Sequence, residues 1–302
     1  MRDLAERADD FSRAPVAAAV FVLADRGGLD ADALANPALV TALASSAIAD
    51  LTPWVPSPGS ARLRAQVLEQ VRPLRSLVNA VLADPRNTWW QQPAAGSNQV
   101  HLVDQRAAER TPRPDPMHLP TSAGMPGLWN VTYAQRPIDS VLTSTLLPVR
   151  DGEVIASGGH GELAYGWDAD PIYPVAQTRL KVDSHARVYE ITSAVDWHAL
   201  ALTYGDPETH PGPDRSLLNC GGIDHGLAPT WNAVTRDYDG VHLTFAGLLS
   251  ALFVPVRTGA VSTTLWNWTS ECTCWLRTAF TSSTPSAELP TELEAPEMPR
   301  LW

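Results

Sequence analysis

Arg187-Val188-Tyr189-Glu190-Ile191 alternates as a strand does, and Ser193, two residues on, is a natural N-cap for a short helix running to about Tyr204. A strand that hands directly to a helix sets the character of the larger part of the chain. Toward the C-terminus, Tyr238-Asp239-Gly240-Val241-His242-Leu243-Thr244 reads as a turn entering a strand, with Asp-Gly as the punctuation. A final strand is expected over 271–276. Toward the N-terminus, strands are expected at 100–103, 128–133 and 140–147. Residues 95–280 thus read as a β-rich α+β domain of short, mainly antiparallel strands. From 281 the chain is Ser, Pro, Thr and Glu, a tail expected to be disordered.

Residues 1–84 have a different texture. Ala, Leu and Val dominate two helical stretches, roughly 4–25 and 30–50, separated by Arg26-Gly27-Gly28. The Pro-rich segment 51–60 is a connection, after which Leu63, Val67, Val71, Leu74, Val78 and Val81 keep helical spacing. Pro73 must kink or split that third helix. This helical N-terminal region reads as a cap on the β-rich body, or else as a module for a protein partner.

The 302 residues include 26 prolines, more than the usual fraction of roughly 5% gives. Many short elements joined by Pro-rich connections account for that excess. A net charge of −11, with 22 basic against 33 acidic residues, argues against nucleic acid, because phosphate contacts need a surplus of Lys and Arg. Three cysteines, Cys220, Cys272 and Cys274, are too few for a disulfide framework and fit reduced thiols in a cytoplasmic protein. The apolar run 14–23 is preceded by Asp3, Glu6, Asp9 and Asp10, which a secretory leader would lack. No apolar run reaches the length of roughly 18 residues that a membrane span needs, so no membrane partner is expected.

No G-x-G-x-x-G, Walker loop, G-x-S-x-G or H-E-x-x-H is present. What the body does carry is an ordered series. His101 lies on an early strand, and Leu142-Thr143-Ser144-Thr145 lies on a later one. The strand ending at Ile191 follows, then a helix with Asp196-Trp197, then Arg236-Asp237-Tyr238-Asp239-Gly240-Val241. Trp268-Thr269-Ser270-Glu271-Cys272-Thr273-Cys274-Trp275 closes the series. This order resembles the ADP-ribosyltransferase superfamily, whose members group an Arg or His on the first core strand, a Ser-Thr-Ser-like strand and a late Glu around NAD.

The resemblance implies an NAD-dependent mono-ADP-ribosyltransferase or NAD glycohydrolase that uses NAD as a substrate and needs no metal. His101 would contact the NAD ribose or phosphate. Thr143, Ser144 and Thr145 would shape the nicotinamide pocket, with Trp129 and Tyr133 also against the dinucleotide. Glu271 would bind the ribose hydroxyl and stabilise the positive charge that develops as the nicotinamide bond breaks. Position 269 is Thr where arginine-modifying members carry a second acid, which argues against arginine as acceptor.

Taken singly, these residues have plainer readings. His101 also fits a half-exposed strand histidine, the Thr-Ser-Thr run fits the β preference of threonine, and Glu271 fits a surface glutamate. The eleven tryptophans fit core filling as well as stacking on a ligand. His160, Glu162, His210, Asp224 and His225 lie in Gly-rich loops and leave a second site open. Rival functions are a non-enzymatic partner-binding or accessory protein, and a small-molecule enzyme of specialised metabolism using the loops around 158–162 and 221–226.

Overall fold

Where Pro15 removes a backbone donor, the first apolar stretch must break, and it does. A computed structural model of the chain describes residues 4–51, 58–94, 99–104, 117, 141–148, 154–156, 175–206, 226–266, 268, 270–286 and 301. In it α1 spans Leu4–Arg13 and α2 spans Pro15–Arg26, with Pro15 at the first helical position, where no amide is needed. The single helix expected over 4–25 is therefore two. Every residue of α2 from Pro15 to Ala24 is buried, so this helix forms the middle of the helical layer. It ends at Gly27-Gly28, where Gly28 takes φ +66° and the Leu29 amide donates to the Ala24 carbonyl at 2.8 Å.

Helix α3 (Pro37–Leu51) packs on α2, and α4 (Pro58–Gln70) packs on both. Pro73 splits the third predicted helix: a 3₁₀ turn at Arg72–Leu74 separates α4 from α5 (Arg75–Ala83). A 3₁₀ segment, Pro85–Gln91, carries Trp89 and Trp90 toward the body.

Among the described residues ten strands follow: β1 (Gln99–Asp104), β2 (Val141–Pro148), β3 (Val154–Ala156), β4 (Val175–Val182), β5 (Val188–Ile191), β6 (Gly240–Leu243), β7 (Pro255–Thr258), β8 (Val261–Thr264), β9 (Cys272–Trp275) and β10 (Phe280–Ser286). Between them lie α6 (Ala194–Tyr204), α7 (Trp231–Val234) and α8 (Phe245–Ala251). The main sheet runs β10-β4-β1-β2-β9-β6-β5, with β3 attached to β2, while β7 and β8 form a separate hairpin. All pairs in it are antiparallel except β5 with β6, whose connection contains α6. The fold is α+β, a helical N-terminal layer followed by a β-rich body.

Strand alternation divides the sheet's two faces. Ile191, Val241, Leu243, Cys272 and Cys274 point to the helices and join α1, α2, α3 and α8 in one continuous hydrophobic cluster. The opposite face holds a smaller cluster of Val141, Leu180, Val182, Trp275, Ala279 and Phe280. Gln99, Thr143, Thr145, Glu190, His242, Glu271 and Thr273 lie on that same face.

Two further expectations change here. The sequence places a tail from 281, but β10 continues to Ser286, paired with β4. Its residues 281–285 are exposed, as an edge strand allows, so no apolar pattern marks it. Strands β3, β4, β7 and β8 lie where no strand is expected. The strand expected at 128–133 falls outside the described residues.

Candidate functional site

On the face away from the helices, five neighbouring strands each contribute polar side chains in register. Glu190 on β5 pairs with His242 on β6, His242 with Thr273 on β9, and Thr273 with Thr143 on β2. Gln99 on β1 pairs with Thr145, two residues along β2. Glu271 lies two residues before Thr273, beside Thr145. The period of two along each strand puts all of them on one side.

These side chains form a polarised chain of hydrogen bonds. The Trp275 indole N–H donates to Thr143 Oγ1 at 2.8 Å, and the Thr143 hydroxyl donates to Gln99 Oε1. Thr273 Oγ1 donates to the same oxygen at 3.3 Å. Gln99 Nε2 donates to Thr145 Oγ1 at 3.4 Å, and the Thr145 hydroxyl donates to Glu271 Oε1 at 2.9 Å. The Thr145 amide reaches Glu271 Oε2 at 3.3 Å. From the other side His242 Nε2 donates to Glu271 Oε1 at 2.7 Å, while its Nδ1 donates to Glu190 Oε2 at 2.5 Å. Glu190 Oε1 accepts the Ala94 amide at 3.0 Å.

Donation to a carboxylate from each ring nitrogen requires both nitrogens to carry protons. Burial, the largest single influence on His242, pulls its pKa down. Hydrogen bonds from the ring to Glu190 and Glu271, with their charges, outweigh it and hold the imidazole up at about 10. Among the described residues no group of three or more His, Cys, Asp or Glu is arranged to hold a metal ion.

The expected site residues divide accordingly. Glu271 is 3% exposed, so it is no surface glutamate, and Thr145 and Thr143 belong to its network. Ser144 points to the opposite side of β2 from those threonines, and its hydroxyl donates to the Glu271 backbone carbonyl at 3.4 Å rather than to the carboxylate. His101 is buried rather than half-exposed, and its Nδ1 donates to the Leu142 carbonyl at 2.8 Å. That bond occurs where the β1–β2 ladder ends. Strand β1 pairs with β4 from Gln99 to Asp104, but with β2 only at Gln99 and Val100. Trp129 and Tyr133 lie outside the described residues, as do His160, Glu162, His210, Asp224 and His225.

Gln99, Glu190 and His242 are members of the network that the sequence reading does not single out. The available signal is a polar residue set inside an apolar strand: His242 between Val241 and Leu243, and Glu190 between Tyr189 and Ile191. Among the described residues no helix is long and apolar enough to cross a membrane. Comparison with protein-family models, with curated protein sequences and with solved structures finds no significant match.

Proposed function

We propose that the protein binds NAD and cleaves its nicotinamide–ribose bond, passing the ADP-ribosyl group to an acceptor or to water. One observation carries this reading. The strands bearing His101 and the Thr-Ser-Thr run and the strand that Glu271 immediately precedes are successive neighbours, β1-β2-β9, with the Glu271 carboxylate against Thr145.

The chemistry asks for such a carboxylate. As the C1′–N bond breaks, its electron pair leaves with nicotinamide, which becomes neutral, and positive charge spreads over the ribose ring. A carboxylate already held by several donors cannot relax away from that charge, so it favours the transition state over the ground state. The acceptor's oxygen or nitrogen then bonds to C1′ and releases its proton. In this reading His101, where β1 and β2 part, contacts the ribose or phosphate, and Thr143 and Thr145 border the nicotinamide.

Incubation of the purified protein with NAD, with chromatographic measurement of free nicotinamide, tests the reading. The wild-type protein should release nicotinamide, and Glu271→Gln should slow release by about 100- to 1000-fold, as removal of a preorganised electrostatic group does. Absence of release, together with absence of NAD binding by calorimetry, rejects it.

A further inference from the structure

Glu271 is not held by β2 alone. His242 is 0% exposed, sits on the strand next to β9, and spans the gap from Glu271 to Glu190 on the sheet's edge strand. The Glu190 side chain is 27% exposed and is itself oriented by the Ala94 amide, so one end of the row reaches solvent. An imidazole between two carboxylates has its ring plane and proton positions set by both, as in other sites where one ring nitrogen's partner dictates what the other does.

We propose that His242 is a positioning residue that holds the Glu271 carboxylate toward Thr145, with Glu190 orienting the imidazole, so that Glu190, His242 and Glu271 act as one unit. The proposal rests on the reading of Glu271 as the carboxylate that faces the ribose. Three features support it. His242 Nε2 and Thr145 Oγ1 converge on the same oxygen, Glu271 Oε1, from opposite sides. Two donors on one oxygen restrict how the carboxylate can turn. The second ring nitrogen meets a carboxylate rather than a carbonyl or water, which favours the form of the ring that donates at both ends. Finally, among the described residues the charged groups acting on His242 are Glu190 from β5 and Glu271 from the β9 end.

Two measurements separate this proposal from the activity it serves. Nitrogen-15 NMR of the histidine rings, assigned with His242→Gln, should show both nitrogens of His242 protonated at pH 8, and Glu190→Gln should move its titration to lower pH. A His242 ring in a neutral form at pH 8, or a titration unmoved by Glu190→Gln, overturns the proposal whether or not NAD is cleaved. In nicotinamide release, His242→Leu should lower kcat by roughly 10- to 100-fold with KM for NAD little changed, the range that misplacement of a reacting group costs. His242→Gln, which keeps a donor toward Glu271, should recover part of that loss. Equal kcat in His242→Gln and the wild type, or equal losses in both variants, overturns the positioning role. If wild-type protein releases no nicotinamide, the transferase reading fails and the NMR result alone decides the clamp.

Discussion

His242 Nε2 on β6 and Glu271 Oε1 at the start of the adjacent β9 lie 2.7 Å apart, both buried, at the point where two chains of donors meet. One chain arrives through neutral groups, from Trp275 by way of Thr143, Gln99 and Thr145; the other is the single step from His242. Each hydroxyl in the first chain accepts once and donates once, so its direction is fixed. Both chains direct donors toward the Glu271 carboxylate. Such a network stabilises the folded state only while every member is satisfied, and it rigidifies the group at its focus.

The protonation of His242 makes stability depend on pH. Its folded pKa of about 10 lies above the ordinary 6.5. A raised pKa supports the folded state fully below about pH 6.5, and that support is lost as pH rises through about 10. Inside this window the folded chain binds one proton more than the unfolded chain, a slope of about 1.4 kcal/mol per pH unit. Urea midpoints at pH 6.5, 8 and 9.5 should therefore fall more steeply for the wild type than for His242→Gln. A gap between the two proteins that stays constant with pH would show that the folded ring is not held protonated.

Trp90 tests whether the helical front and the β-rich body fold as one. Its ring is buried, stacked on Phe11 of α1 with centroids 6.0 Å apart and edge-on to Phe245 of α8 at 5.3 Å. It therefore ties the first helix to a helix seated on the sheet, within the cluster that unites both regions. Trp90→Ala should cost about 3–5 kcal/mol, as large buried aromatics do when truncated. The loss should appear as one shifted unfolding transition, seen alike by circular dichroism and by the fluorescence of the remaining tryptophans. Two separate transitions in the wild type would mean that the front folds as an independent cap.

How legible the molecule is in its sequence follows from which contacts are local. Pro73 and Gly27-Gly28 act within a turn of themselves, and the breaks they announce are where expected. Pro15 carried the same kind of signal inside an Ala-rich run. Strand β10 gave none: as an exposed edge its residues need not be apolar, and only pairing with β4, about a hundred residues away, makes it a strand. The site divides the same way. Glu271 and the threonines of β2 stand out by residue type, whereas the partnership of Glu271 with His242 and Glu190 is a matter of register between strands far apart in the chain. Register also explains why Thr145, and not Ser144, meets the carboxylate, since a step of one residue turns a side chain to the other face.

Gly247 tests the seat on which that register rests. Helix α8 begins after Thr244, whose Oγ1 accepts the Gly247 amide at 2.9 Å, and this cap presses the first turn of α8 against the end of β5. A β-carbon at 247 would lie 2.1 Å from the Ile191 carbonyl oxygen, a backbone atom that cannot swing aside. Gly247→Ala gains up to about 1 kcal/mol of helix propensity. Against it stands an overpacking cost of about 1–3 kcal/mol or more, because helix and strand must separate. The clash wins, and the urea midpoint should fall. Ile191 follows Glu190 directly, so the same separation should disturb the Glu190–His242 bond and shift the nitrogen-15 resonance of His242 Nδ1 more than that of Nε2. A variant as stable as the wild type, with an unshifted ring, would mean that α8 does not bear on β5 and that the position of Glu190 is set from elsewhere.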